Sequence, residues 1–249
     1  MEIIAHRGAS FDAPENSLDA FLRAVDQGAQ RLELDIQISK DDVPYVCHDE
    51  STGRVADRDL VVRATPSATL DTLQLSNGEA LLRFETLCQE ISGRAELNVE
   101  IKTLTDNGAR ALLAALQKHG LLTNALITSF HPNALHRIRA MGYTGAMGLI
   151  VGSDSKSVRQ RAYEAWPFET WKDVRASHLI MHHRVSHPLQ RWYLRRHGGT
   201  LVFWMSMKDE SQAPTVRARY YRRIAKIQPD GVIVGRVKEA IAVFQDRKH

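Results

Sequence analysis

Arg31-Leu32-Glu33-Leu34-Asp35-Ile36 is the stretch whose reading decides the fold. Side chains alternate across an extended strand, so Leu32, Leu34 and Ile36 share one face and Glu33 and Asp35 the other. In a closed barrel one face of each strand packs on helices and the other lines the interior. The leucine face suits the helices. The carboxylates therefore point inward near the C-terminal end of the strand, where barrel enzymes build their sites.

Further apolar runs of the same kind predict strands at Glu2–Ala5, Ala95–Ile101, Ala125–Thr128, Gly145–Ile150, His178–Met181, Thr200–Met205 and Gly231–Val234. With Arg31–Ile38, the strand that contains the first stretch, that makes eight. Between them lie apolar residues at three- and four-residue spacing, such as Leu18, Phe21, Leu22 and Val25, or Leu112, Leu113 and Leu116. Strands alternating with helices imply parallel pairing, and eight rounds imply a (β/α)8 TIM barrel. An open doubly wound sheet is the other arrangement with this rhythm, but it usually carries a glycine-rich phosphate loop after its first strand. Here that turn holds Gly8 alone. One segment breaks the pattern. From His48 to Phe84 there is little helical periodicity, which predicts an insertion over roughly 50–83 within one domain spanning 1–249. Long loops of this kind usually serve as lids or binding loops.

Size and composition agree with one soluble barrel: 249 residues, 43% hydrophobic and 25% charged. Two cysteines, Cys47 and Cys88, make no disulfide framework and have no partners at zinc-ligand spacing. The opening Met1-Glu2-Ile3-Ile4-Ala5-His6 lacks the basic start and long apolar core of a secretory signal, and no apolar run reaches membrane-spanning length. The expectation is a cytoplasmic protein. The net charge is +4, with basic groups at Arg191, Arg195 and Arg196 and at Arg217, Arg219, Arg222, Arg223 and Lys226. No nucleic-acid motif accompanies them, so they read as solvated helix faces. Trp192, Tyr220 and Tyr221 among the arginines leave weak membrane-surface contact as a minor alternative. Nothing here speaks to oligomeric state.

Chemistry enters through ionisable residues in strands that ought to be buried. In Asn98-Val99-Glu100-Ile101-Lys102, Glu100 and Lys102 share the inward face, and the first strand ends in His6-Arg7. Three carboxylates gathered at one rim repel one another unless a cation lies between them. All-oxygen ligation suits one hard divalent ion, Mg2+ or Ca2+, with Mn2+ a further option. Beside Arg7 and Lys102 such an ion makes a pocket complementary to phosphate. His6 and His48 then suit proton transfer, because imidazole titrates near working pH. Each residue taken alone has a structural alternative. Glu33 and Asp35 could serve an ion-pair network, His48-Asp49 a turn, and Asn16 the cap of the helix that begins near Ser17.

Ile4-Ala5-His6-Arg7-Gly8, Ala13-Pro14-Glu15-Asn16-Ser17, Leu32-Glu33-Leu34-Asp35 and Val46-Cys47-His48-Asp49 together resemble the N-terminal signature of the glycerophosphodiester phosphodiesterase family. Asn98–Lys102, Ser129-Phe130, Phe203-Trp204 and Pro229-Asp230-Gly231-Val232-Ile233 extend the resemblance along the chain. It implies a (β/α)8 barrel with one divalent cation. The implied reaction is hydrolysis of small-molecule glycerophosphodiesters to sn-glycerol 3-phosphate and an alcohol. Glu33, Asp35 and Glu100 become metal ligands and His6 and His48 the acid–base pair. Arg7, Lys102, Glu15 and Trp204 become substrate-binding residues. The chain departs from the family after Trp204, where Met205-Ser206-Met207 replaces the usual Thr-Val-Asn, and after the last strand, where Val234-Gly235-Arg236 replaces Thr-Asp. Two other functions compete. One is lysophospholipase D-type hydrolysis, favoured by the apolar residues around Trp204; the other is a non-catalytic barrel that binds phosphodiesters.

Overall fold

Alternation within each strand dictates how the sheet closes. The computed structural model describes residues 1–152, 163–185 and 187–244. Its strands are β1 (Glu2–His6), β2 (Arg31–Ile38), β3 (Pro44–Val46), β4 (Glu96–Ile101), β5 (Ala125–Ser129), β6 (Ala146–Val151), β7 (His178–His182), β8 (Thr200–Trp204) and β9 (Gly231–Val234). Eight run parallel in a closed ring, in which β1 pairs with β2 on one side and with β9 on the other. This is a TIM barrel. All eight expected strands are staves of it, each end displaced by a residue at most. β3, outside the ring and antiparallel to β2, is an addition that three residues of sequence are too few to signal.

The two faces separate as alternation requires. Ile4, Leu126, Ile150, Ile180, Val202 and Ile233 form a buried cluster inside the barrel. Strand residues of the opposite parity, among them Ile3, Leu32, Leu34, Val99, Ile127, Leu149 and Phe203, belong to the larger cluster between strands and helices. Each such aliphatic residue, fully buried, contributes about 1.5–3 kcal/mol. The helices start where the chain supplies caps. Ser17 accepts a hydrogen bond from Ala20 N to open Leu18–Asp26, and Thr105 accepts from Gly108 N to open Asp106–Lys118. Proline fills the first turn of Pro132–Ala140, Pro188–Arg196 and Pro214–Ile227. Cys47 and Cys88 are free and buried. Among the described residues no helix is long and apolar enough to cross a membrane.

One expectation gains detail and another needs correction. The stretch between His48 and Phe84 holds a 3-10 turn at Val62–Ala64 and a one-turn helix at Ser67–Leu70. Its Val62, Leu70, Leu73, Leu75 and Leu81 form a small core with Tyr45 and Cys47 just before it. These apolar residues are irregularly spaced, so no periodicity announces them. Second, Arg217 does not lie on a solvated face. It is buried and pairs with Glu239 of the last helix at 2.8 Å, a partner far away in sequence.

The turn after β1 constrains the entrance to the site. Arg7 and Gly8 both adopt the left-handed region, with φ of 57° and 80°. A Cβ on Gly8 would lie 2.6 Å from the Ala20 carbonyl carbon. Gly8→Ala is therefore expected to lower stability by about 2–3 kcal/mol in urea unfolding. An unchanged midpoint would show that helix Leu18–Asp26 can retreat.

Candidate active site and metal centre

Three adjacent staves, β1, β2 and β4, carry the ionisable residues to one rim. Their register sets Glu33 beside His6 and Asn98, and Asp35 beside Glu100. Each of Glu33, Asp35 and Glu100 offers an oxygen within 4.8 Å of the others, and all three residues are buried. Arg7 meets Asp35 at 3.1 Å, while Lys102 reaches Asp35 at 3.2 Å and also pairs with Glu100. Two cations thus face three carboxylates. Asp35 Oδ1 and Glu100 Oε1 face Lys102 as ion pairs, yet neither receives a hydrogen bond of good geometry. Buried carboxylate oxygens without donors are suited to ligating a hard divalent cation.

Electrostatics divides these acids. Burial pushes Glu33 well above the usual carboxylate range, and repulsion from Asp35 and Glu100 adds to it. Burial, opposed by Lys102, still leaves Glu100 raised to about 7. At Asp35 burial also disfavours the anion, but Lys102, Arg7 and a hydrogen bond from Asn16 prevail and hold it below the usual range. Asn16 is the donor sequence reading missed. It does not cap the helix; that role falls to Ser17. With φ of 58° it turns inward, and its Nδ2 donates to Asp35 Oδ2 at 3.0 Å.

A second chain of charges runs from the first. Arg7 donates to Glu15 at 2.8 Å, and both Glu15 oxygens accept from Arg54. Arg54 also donates to Asp49 at 2.6 Å, and Asp49 in turn lies 2.6 Å from His48 Nδ1. That contact fixes the His48 tautomer, with Nδ1–H donated to Asp49 and Nε2 left as the base. His6, buried near Arg7, is held down to about 3, chiefly by desolvation. His48 is lowered too, first by burial, with Asp35 and the Asp49 hydrogen bond pulling the other way. Both imidazoles are neutral at pH 7. Arg54 sits in the insertion, where no pattern in the sequence marks it.

These groups line a cavity of about 530 Å³. Every expected site residue except Asp35, which stands just behind, lies on its wall, Glu15 and Trp204 included. The opposite wall is apolar: Phe130, Ile150, Ile180, Trp204, Met207 and Ile233. Trp204 is fixed by donating Nε1–H to Val151 O at 3.2 Å and by packing edge-on against Phe130 and His182. Behind it His182 and His183 both approach Asp209 Oδ2 at 3.1 Å, Ser206 donates to the same oxygen, and Arg184 pairs with the other. The ligand atoms of His182, His183 and Asp209 also lie within 4.8 Å of one another, close enough to hold a metal ion. A guanidinium already neutralises that carboxylate, so the cluster acts as a knot between the ends of β7 and β8.

The sequence matches the model of the glycerophosphoryl diester phosphodiesterase family over residues 6–239. This chain belongs to that family. It is accordingly an enzyme of the glycerophosphodiester phosphodiesterase class. A glycerophosphodiester phosphodiesterase of Caldanaerobacter subterraneus subsp. tengcongensis is 30% identical over 182 residues, covering 67% of this chain and 75% of the relative. Human glycerophosphodiester phosphodiesterase 1 is 31% identical over 150 residues, covering 55% of this chain and 44% of the relative. Among solved structures, an Oleispira antarctica phosphodiesterase in complex with the product sn-glycerol-3-phosphate superposes with a TM-score of 0.80. It is 22% identical, with 98% of this chain and 97% of that one covered, and supports the barrel alone.

The Asp49 contact yields a test within the site. Asp49→Asn removes a charge that favours the His48 imidazolium, so His48 should titrate still lower than in the unaltered protein, read by NMR titration of its ring nitrogens. A His48 that titrates unchanged would remove Asp49 as its partner.

Proposed function

We propose that this chain hydrolyses glycerophosphodiesters to sn-glycerol 3-phosphate and an alcohol in a metal-dependent reaction, with His6 and His48 as the acid–base pair. One observation carries this reading: a cluster of three buried carboxylates, two of them on the wall, meets two neutral imidazoles, Arg7 and Lys102 at one cavity. Family membership gives the reaction class. We propose likewise that the chain works as one barrel domain whose insertion, through Arg54, completes the pocket wall.

Glu33, Asp35 and Glu100 would hold the divalent cation, Mg2+ or Ca2+, with Mn2+ a third choice. Once bound, such an ion would supply Lewis-acid polarisation and a template for the phosphodiester. Arg7 and Lys102 attract the phosphate oxygens and offset charge that grows on them in the transition state. Their ion pairs with Glu15, Asp35 and Glu100 hold them at the rim before substrate arrives. His48, with Nδ1–H engaged by Asp49, presents Nε2 to take or return a proton. His6 faces the same cavity from β1 and serves the partner transfer. Asn98, buried and with no partner for its Nδ2 among the described residues, offers a further donor to the substrate on this wall.

The apolar wall of Phe130, Ile150, Ile180, Trp204 and Met207 motivates a second reading, in which the same chemistry acts on a lysophospholipid. Comparing glycerophosphocholine with lysophosphatidylcholine separates the two, the first releasing glycerol 3-phosphate and the second lysophosphatidate.

His6→Ala and His48→Ala should each lower turnover by about 100- to 10,000-fold while leaving thermal unfolding intact. Full activity in either variant would remove that histidine from the mechanism, and release of glycerol 3-phosphate that survives chelation would remove the metal. Asn16→Leu should weaken divalent-cation binding by about 10- to 100-fold in titration calorimetry, because it strips Asp35 of its neutral donor.

A further inference from the structure

Charge is distributed unevenly along this chain. Residues 174–229 carry eleven lysines and arginines against two acids, Asp209 and Glu210. Both acids are buried, so they screen nothing at the surface. The outer helices Pro188–Arg196 and Pro214–Ile227 contain no acidic residue at all. Arg195, Arg196, Arg219, Arg222, Arg223 and Lys226 are exposed, and none of the six forms an ion pair among the described residues. On the second helix Arg219, Arg222, Arg223 and Lys226 recur at three- and four-residue spacing, which makes one stripe. Arg191 donates to Gln228 at 3.2 Å, and Arg223 donates to Arg184 O at 3.2 Å, joining the helix surfaces into one face.

Two large apolar side chains stand exposed on that face. Leu189 is 56% and Trp192 60% exposed, three residues apart on the outer side of helix Pro188–Arg196. Trp166, 49% exposed, packs edge-on against Tyr193 of the same helix at 5.3 Å. Trp and Leu left facing water among the described residues mark an interaction surface. Tryptophan with flanking arginine suits the boundary between lipid headgroups and acyl chains. A nucleic acid would answer the arginines but gives an aliphatic Leu189 nothing to enter. Helix Pro188–Arg196 follows the C-terminal end of β7, so its first turns, with Leu189, lie toward the barrel mouth.

We propose that these two helices form a docking face for an anionic phospholipid bilayer, with Leu189 and Trp192 entering the interface and the arginines meeting the headgroups. The proposal stands apart from the catalytic reading. Docking would bring the cavity mouth close to the lipid surface.

Co-sedimentation with vesicles tests it. Partition onto phosphatidylcholine vesicles doped with phosphatidylglycerol should exceed that onto pure phosphatidylcholine by about tenfold or more at low salt, and fall as salt is raised. Arg195→Glu combined with Arg196→Glu should lower the anionic partition about tenfold. Leu189→Ser combined with Trp192→Ser should lower it by a similar factor at unchanged charge. Equal partition onto both vesicle types would overturn the proposal, and so would undiminished binding by the Leu189/Trp192 variant. Tight binding of duplex DNA without vesicle partition would overturn it too, assigning the face to nucleic acid. Thermal unfolding checks that each variant is folded. Hydrolysis of glycerophosphocholine without vesicles should stay at the unaltered level in all of them. An unaltered protein inactive on that substrate would sink the catalytic reading and leave the vesicle result standing.

Discussion

Three carboxylates within 4.8 Å of one another, in a pocket that excludes most water, repel strongly. The structure is arranged around that repulsion. Asp35 stays charged because Lys102, Arg7 and Asn16 converge on it, while Glu33 and Glu100 are left with raised proton affinity. The cost of burying these groups recurs one step outward at each partner. Arg7 also needs Glu15, Glu15 needs Arg54, and Arg54 reaches Asp49, which orients His48. The His48 imidazole and the carboxylate cluster are thus ends of one electrostatic chain. A change at Arg54 would be felt at both.

Barrel geometry explains why the polar and apolar halves of the cavity face each other. Staves β1, β2 and β4 are sequential neighbours in the ring, so their inward residues near the C-terminal ends crowd together. Staves β6, β7, β8 and β9 contribute Ile150, Ile180, Trp204 and Ile233 from the far side. In many barrels the ends of the last two strands and the following helix bind phosphate. Here that place is taken by Glu210. Its carboxylate accepts from the Gly235 and Arg236 amides at 2.8–3.1 Å, and burial raises it to about 7. An internal acid satisfies the amides that could otherwise hold an anion. The cations Arg7 and Lys102 face the cavity from the opposite rim. The same contact accounts for Val234-Gly235-Arg236, where the chain departs from its family's usual ending: the segment is held by Glu210.

Much of this was legible without coordinates. Strict alternation in Arg31–Ile36 separates carboxylates from leucines whatever the rest of the chain does, because a strand has only two faces. Eight such runs with helical spacing between them admit few closures, and the ring in the structure uses all eight. Glu33, Asp35, Glu100 and Lys102 could be placed on one rim by that parity, and His6 and Arg7 by their position at the end of the first strand. What parity cannot supply is the direction of a side chain outside regular structure. Asn16 offers the same amide to a helix end or to a carboxylate, and its left-handed backbone, set by the turn that also holds Arg7 and Gly8, sends it to Asp35. Arg54 has no periodic neighbours to betray it, and Arg217 finds Glu239 only when two helices pack side by side.

The sequence by itself determined the barrel, the inward set of acids and the reaction class, because these follow from local alternation and from short motifs in fixed order. Tertiary structure alone decided which charges neutralise which, how His48 is oriented, and which arginines remain unpaired at the surface. Ion pairing depends on distances between segments far apart in the chain, and those distances exist only once the barrel has closed.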